Sequence, residues 1–277
     1  MKEELSMIPL DEESSNSLSE VFMELAGESR YEILQMLEEQ KWRSAQLAKE
    51  LDITIQETHR NTVRLTDAGM IKKDSDGFFA LTSYGRILVS QLDSFGFVNK
   101  YKEYFEEHFP SDLSPKFLQR IASLSNCELI HGNFAIVDKW LSLAEDAKEY
   151  LRIITSQIPP EFFKLKVSKA KKGIQIFLIH GENTIAPKDF RKELTSSVLR
   201  KLISEGTYKR KMIEKIQTMM VMNEKTGILF FPDLKGEPDM YSAFISDDPE
   251  FHEWCVDYFD HIWNKAGDYD VSKIREM

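Results

Sequence analysis

Cysteine is nearly absent from this chain: its two copies in 277 residues, Cys127 and Cys255, stand far apart, with no C-x-x-C or C-x-C spacing. That excludes a disulfide framework and leaves no thiolate metal sensor to propose. Long apolar runs are missing too, and no stretch approaches the roughly eighteen residues that a membrane-spanning helix requires. The opening segment, MKEELSMIPLDEESSNS, is acidic and serine-rich without an apolar core, so residues 1–17 read as a flexible tail rather than a signal or transit peptide. The expectation is a cytoplasmic protein with reduced thiols and no membrane association. No G-x-S-x-G, Walker loop or H-E-x-x-H occurs, and the six histidines are too dispersed for a zinc site to be proposed from spacing. No metal or cofactor is implied. Positive charge is also in deficit, with 36 basic against 46 acidic residues and a net charge of −10, which argues against a protein that coats nucleic acid indiscriminately.

What is present is concentrated near the N-terminus. Residues 54–81 read as a helix followed by a short hairpin, TIQETHRNTVRLTDAGMI then KKDSDGFFAL. Thr54 and Glu57 have capping-box spacing, so the helix should begin at Thr54 with free backbone N–H groups where a phosphate can use them. Thr58, Thr62 and Leu65 then form an inward stripe, which leaves Gln56, His59, Arg60, Val63 and Arg64 on the opposite face. Upstream, Ile33, Leu34 and Leu37 recur at helical spacing, and SAQLAKELDI is a second short helix with Ser44 as N-cap and Leu47, Ala48 and Leu51 inward. Downstream, Gly69 ends the third helix and Asp74-Ser75-Asp76-Gly77 turns one strand into the next, with Lys72 and Lys73 on the resulting wing. From Lys41 to Lys73, seven basic residues face four acidic ones, a local excess of three on an acidic chain.

These segments resemble ArsR-like winged-helix transcription regulators over about residues 19–95, carried by ESRYEILQML, SAQLAKELDI, the third helix, AGMI and FFALTSYGR. Double-stranded DNA is the partner this implies. The candidate contacts are Arg43, Ser44, Thr54, Gln56, His59, Arg60, Arg64, Lys72 and Lys73. Base edges would be read from the helix face, and phosphate would be met by the wing lysines. Lys49 reads better as a solvated side chain. A tri-helical head with a wing also serves as a protein-docking module, because fold does not fix function.

A long helical stretch follows, ending at Pro110. Its apolar residues Ile87, Leu88, Leu92, Phe95, Val98, Tyr101 and Phe105 form a stripe too long for a small domain to cover, and Gly96 is placed to kink it. The resemblance implies that this helix and the first helix form a homodimer matched to a two-fold DNA site.

The second half alternates YLRIITSQ, PPEFFKLKVSKAKKG, IQIFLIHG and PKDFRKELTSSVLRKLISEG, a strand–helix–strand–helix signature. A hairpin around Asn223 to Gly227, the strand MYSAFIS and the amphipathic helix PEFHEWCVDYFDHIWNKA close the chain. Over about residues 112–266 this half resembles the effector-type domain of archaeal methanogenesis regulators, through LSPKFLQRIASLSNCELI, ITSQIPPEFF, GIQIFLI, ILFFPD and ISDDPEFHEWCVDYFDHIW. That domain is similar to a phospholipase D-type fold used without catalysis. The chemistry of the enzymatic form needs a His-x-Lys pair, and none of His59, His108, His131, His180, His252 and His261 has a lysine two residues on.

The expected fold is therefore α+β. It comprises a tail over 1–17, a winged helix-turn-helix domain over 18–82, a linking and dimerisation helix over 83–111, and a mixed α/β domain over 112–277. The second domain is expected to sense a small molecule or a partner, and an effector bound there should lie at the carboxyl ends of the strands, which points to Thr155, Ser156, Gln157, His180 and Glu182. Two readings of other classes stay open, an enzyme with an accessory winged helix and a winged-helix docking scaffold.

Overall fold

The computed structural model describes residues 12–188 and 190–276, the side chains of residues 12–17 and 183 excepted. The chain divides into two compact units, residues 1–93 and 94–277. Residues 1–11 of the expected tail lie outside the described residues. Its last part is helical instead, because α1 spans Glu12–Leu25. Leu18, Val21, Phe22 and Leu25 recur along it at helical spacing.

The first unit continues with α2 (Glu28–Glu39), β1 (Trp42–Arg43), α3 (Ser44–Glu50), α4 (Ile55–Asp67), β2 (Ile71–Lys73) and β3 (Phe78–Leu81), and α5 (Ser83–Lys100) begins in it. Ile33, Leu34, Leu37, Leu47 and Leu65 meet Met70, Ile71, Phe79, Leu81 and Val89 in one apolar core. Burial of each such side chain is worth roughly 1.5–3 kcal/mol. Thr58 and Thr62 belong to the buried face of α4, and their hydroxyls donate to the carbonyls of Thr54 (3.0 Å) and Thr58 (2.9 Å), so burial leaves neither unsatisfied. Ser44 is not the N-cap of α3 but its first residue. Arg43 occupies the cap, and its backbone N–H donates to Gln46 Oε1 at 2.9 Å, because Gln46 stands where a side chain can reach back.

The hairpin is antiparallel, pairing Ile71 with Leu81 and Lys73 with Phe79, and β1 adds a third strand against β3. Asp74 Oδ1 accepts from the N–H groups of Asp76 (3.1 Å) and Phe78 (2.9 Å), and Gly77 takes φ 84°, which an L side chain resists. Gly85 is needed for a different reason: a Cβ there would lie 2.0 Å from the Met70 carbonyl oxygen.

The apolar stripe after the wing is divided rather than continuous. Helix α5 runs through Gly96 without interruption, ends at Lys100, and α6 (Lys102–Glu107) resumes after Tyr101. Val89 is buried in the first unit, whereas Phe97, Tyr101 and Tyr104 are buried in the second, and Ile87, Phe95 and Val98 remain exposed.

The second unit goes on with α7 (Pro115–Leu118), β4 (Glu128–His131), α8 (Asn133–Asp146), β5 (Tyr150–Gln157), α9 (Pro160–Lys171) and β6 (Gln175–Ala186). Then come α10 (Phe190–Leu194), α11 (Ser197–Ser204), β7 (Tyr208–Ile213), β8 (Met219–Met222), β9 (Gly227–Phe230), β10 (Ser242–Ser246), α12 (Pro249–Lys265) and β11 (Arg275–Glu276). Among the described residues these strands form one mixed sheet in the order β11-β6-β5-β8-β9-β10-β4, with β7 also paired to β6. Pairing is parallel among β5, β6, β7 and β11 and antiparallel from β5 through β8, β9 and β10 to β4.

The single helix expected over 187–206 is two, because the Ser196 hydroxyl accepts from the Leu199 N–H and starts a new helix. The hairpin at Asn223 has the expected place, and Asn223 Oδ1 accepts from the N–H groups of Lys225 (2.8 Å) and Thr226 (2.7 Å). Phe244 on β10 centres an aromatic group with Phe97, Tyr101, Tyr104 and Phe231 at centroid distances of 5.7, 5.0, 4.8 and 5.8 Å. Of the residues expected inward on α12, Phe251, Cys255, Tyr258 and Phe259 are buried together with Trp254, while Ile262 is half-buried.

Candidate nucleic-acid interface and effector site

Helix α4 starts where its cap dictates. Thr54 Oγ1 accepts from the Glu57 N–H at 3.1 Å, but the reciprocal half of the capping box is not made, since Glu57 Oε1 accepts from Ser29 Oγ at 3.4 Å. Gln56, His59, Arg60, Val63 and Arg64 are all exposed on the side away from the core. Among the described residues no carboxylate pairs with Arg60, Lys72 or Lys73. Arg64 differs: its guanidinium grips Glu24 of α1 with two nitrogens, Nη2 to Oε1 at 2.5 Å and Nε to Oε2 at 3.0 Å. Glu24 also faces Arg30 at 3.0 Å. The Arg64 bond, then the charge of Arg30, hold its carboxyl below the usual range against the opposing effect of burial. Arg64 is thus engaged within the unit, and the expectation that it contacts DNA requires this pair to open.

The wing is braced by its own charges. Lys41 Nζ lies 3.1 Å from Asp74 Oδ2, Arg43 stacks 4.5 Å over the Phe78 ring, and Lys73 Nζ sits 5.4 Å from the Phe79 centroid. Such contacts fix where the cationic heads point while leaving Arg43, Lys72 and Lys73 exposed. Ser44 is half-buried at the first position of α3.

In the second unit the expected effector residues do not share one open site. Thr155 and Ser156 are buried, at 1% and 6% exposure. Thr155 Oγ1 donates to the Gln157 carbonyl at 2.9 Å and accepts from its N–H at 3.1 Å, so it closes a local turn, and Ser156 Oγ lies 3.4 Å from Met219 Sδ. Glu182 is half-buried and pairs with Lys273 at 2.5 Å. Gln157 is exposed and lines a cleft of about 350 Å³ with Ile158, Pro159, Ile185 and Pro187, at the ends of β5 and β6 beside the start of α9.

His180 is buried within the sheet instead of lying in a mouth. The reason is a register shift: Thr155 pairs with His180, yet Gln157 pairs with Ile185, so the strand continues past His180 through a bulge. Burial, then the charges of Lys166 and Arg210, push the His180 imidazole well below its ordinary value. Lys166, Tyr208, Arg210 and Tyr269 around it were not singled out by sequence reasoning. A signal existed for Lys166, which stands four residues after Phe162 and four before Ala170 on the buried stripe of α9. Among the described residues, no group of three or more His, Cys, Asp and Glu side chains could hold a metal ion, and no helix is long and apolar enough to cross a membrane.

Residues 19–100 match the HVO_A0261 N-terminal domain, and residues 133–265 match the middle domain of methanogenesis regulatory protein FilR1. No protein with a curated description matches the chain. Among solved structures, TrmBL2, an archaeal chromatin protein described as showing a novel mode of DNA binding, is 13% identical over 92% of this chain and 98% of its own, with a TM-score of 0.36. The adhesin competence repressor AdcR of Streptococcus pyogenes is 19% identical over 49% of this chain and 95% of its own, at 0.24. An O-methyltransferase family protein of Burkholderia thailandensis is 10% identical over 74% and 62%, at 0.25. At such TM-scores these likenesses assign neither fold nor activity. The two domain matches fall on the two stretches whose resemblances were read from the sequence, 19–100 in the N-terminal head and 133–265 in the C-terminal half.

Proposed function

We propose that the protein is a sequence-specific DNA-binding transcription regulator that works as a homodimer, with a non-catalytic second domain that senses a small molecule. The observation that carries this reading is the exposed face of α4. Gln56, His59 and Arg60 stand clear of carboxylates on a capped helix, and Lys72 and Lys73 follow on a braced wing. Such a helix can enter a major groove while the wing lysines meet phosphate. The name of the second matched family adds methanogenesis or related energy metabolism as the regulated process. In this reading the second domain is the phospholipase D-type fold without its His-x-Lys pair, and the protein acts in the cytoplasm.

The dimer is supported by apolar surface that has no cover in one chain. Tyr84, Ile87, Phe95 and Val98 lie along one side of α5 at 45%, 65%, 60% and 44% exposure, and Leu18 and Phe22 of α1 are exposed at 44% and 51%. Exposed apolar side chains grouped along one side of a helix mark an association face. Sedimentation of the intact protein should show a dimer that Phe95→Glu dissociates, and a folded wild-type monomer at micromolar concentration would remove this part of the reading.

The DNA test begins by selecting binding sites from a random duplex pool. Arg60→Ala and Gln56→Ala should each weaken the selected site by about 1–3 kcal/mol while changing random DNA little. Equal loss on both would contradict base readout. Lys73→Ala should weaken both and flatten the salt dependence.

A further inference from the structure

The second unit holds a group of cationic and polar side chains that DNA reading does not employ, with Lys166, His180 and Tyr208 buried and Arg210 and Tyr269 half-buried. β6 and β7 pair Ile176 with Tyr208, Leu178 with Arg210 and His180 with Met212, so His180, Tyr208 and Arg210 share one face of the sheet. Tyr269, from the segment after α12, joins them. Its hydroxyl lies 2.6 Å from His180 Nδ1, and the Arg210 guanidinium sits 4.3 Å over its ring. Lys166 of α9 completes the group, 1% exposed, with its ammonium 5.0 Å from the Phe162 centroid.

Three features separate this group from ordinary packing. His180 Nε2 and Tyr208 Oη are buried without any hydrogen-bond partner, in residues 1% and 0% exposed. Native interiors rarely leave such atoms unpaired. No carboxylate faces the two cations among the described residues: Arg210 donates to the Leu194 carbonyl at 3.3 Å, and Lys166 makes no hydrogen bond. Finally, every available function is a donor. In the tautomer where the Tyr269 hydroxyl donates to Nδ1, the His180 proton resides on Nε2, and that atom, the Tyr208 hydroxyl, the Lys166 side-chain nitrogen and the free guanidinium N–H groups can all donate to one acceptor. A largely buried constellation of donors that holds a half-buried guanidinium, a buried amine able to take up a proton and no anion fits one chemistry.

We propose that this group binds a small oxyanion, a carboxylate or a phosphate, admitted from the cleft at Gln157, Pro159 and Ile185. Lys166 and Arg210 neutralise its charge, and His180 Nε2–H and the Tyr208 hydroxyl fix its oxygens. The cleft is one step away along β5, since Thr155 pairs with His180 and Gln157 with Ile185. This gives the effector of the preceding section a chemical class. Its regulatory meaning rests on that reading, but binding does not and is measured without DNA.

Calorimetric titration of the intact, DNA-free protein uses three probes: inorganic phosphate, acetate and neutral glycerol. Saturable binding of one anion at one site per chain is expected, with none for glycerol, and which anion binds separates a phosphate head from a carboxylate. Lys166→Met and Tyr208→Phe should each weaken that binding about tenfold or more, a loss easily read on the logarithmic affinity scale. Tyr208→Phe is the sharper variant, because its hydroxyl has no partner in the free protein and its removal should leave thermal unfolding unchanged. Absence of saturable binding by either anion, or binding that both folded variants retain, overturns the proposal. Neither result would touch site-selective DNA binding, whose own failure is read in the duplex assay with Arg60→Ala.

Discussion

Arg60 stands in water on α4, whereas Lys166, on α9 of the second unit, is 1% exposed with no carboxylate against it. The contrast extends to their neighbours. In the first unit, cations are either exposed and unpaired, as Lys72, or paired with carboxylates, as Arg64 and the half-buried Arg30 with Glu24 and Lys41 with Asp74. In the second, Lys166 and Arg210 are placed among tyrosine, histidine and phenylalanine rings. A surface cation costs little to maintain and remains open to a polyanion, so its presence needs only a weak advantage. A buried, unpaired one costs several kcal/mol unless it loses its proton or gains an anion, so its retention calls for a specific cause. The same residue type therefore carries far more functional information in the second unit than in the first.

The second unit must be stable enough to bear the cost of a buried cation, and the aromatic group around Phe244 is where that stability can be broken. Phe244→Ala removes a ring that touches Phe97, Tyr101, Tyr104 and Phe231. A loss of about 3–5 kcal/mol is expected. Denaturant unfolding followed by tryptophan fluorescence reads it, since Trp140 and Trp254 are both buried in this unit. A loss under about 1 kcal/mol would mean that the core relaxes around the cavity, and that the buried cations have less support than argued.

Proton linkage sharpens the contrast next. Burial alone lowers the Lys166 ammonium from 10.5 to about 7. Between those values the unfolded chain holds a proton that the folded chain has released, so stability should rise with pH by up to about 1.4 kcal/mol per unit across roughly pH 7 to 10.5. Below about 7 both states are protonated and this slope vanishes. His180 is pushed down as well, so it adds a separate loss of stability as pH falls below the ordinary imidazole value of 6.5. Lys166→Met should erase the upper slope and keep the lower one. Parallel stability–pH curves for the two proteins above pH 7 would show that Lys166 is not desolvated as the structure places it.

How much of this was legible depends on where the partner of each residue lies. The cap of α4 at Thr54, the wing turn at Gly77, β5, α9, the hairpin at Asn223 and α12 were readable because spacing within a few residues decides them. β7 was not read, although YKRKMI forms a strand. Its charges suggest a loop until Phe177, Trp263 and Tyr269 are brought over Lys209, Lys211 and Arg210, at 5.0, 5.0 and 4.3 Å. Those rings come from other elements. The expected effector residues do not share one open site for a related reason: the register shift after His180 buries a histidine that a regular strand end would have exposed. Lys166 was hidden among Lys164, Lys169, Lys171 and Lys172, where only its position on the stripe of Phe162 and Ala170 sets it apart.

The smallest expected effect tests whether surface charge in the first unit is as dispensable as the contrast implies. Arg64 lies on the reading face of α4, and Glu24 on α1 holds it by two hydrogen bonds while also meeting Arg30. Glu24→Gln keeps the shape of that side chain but removes its charge, so Arg64 is released toward DNA and one repulsive carboxylate disappears. Because Arg64 is half exposed, water compensates most of what the lost pair contributed, and thermal stability should hardly move. DNA affinity should instead increase, and the double-logarithmic salt dependence should steepen by about 0.9 if the freed guanidinium takes up one phosphate. A steeper slope with equal gain on selected and random duplexes assigns Arg64 to the backbone, whereas a gain confined to the selected site assigns it to a base. An unchanged affinity with a marked loss of stability would reverse the interpretation, making the Glu24–Arg64 pair a structural tie between α1 and α4 and leaving Arg60 as the arginine of α4 that reads DNA.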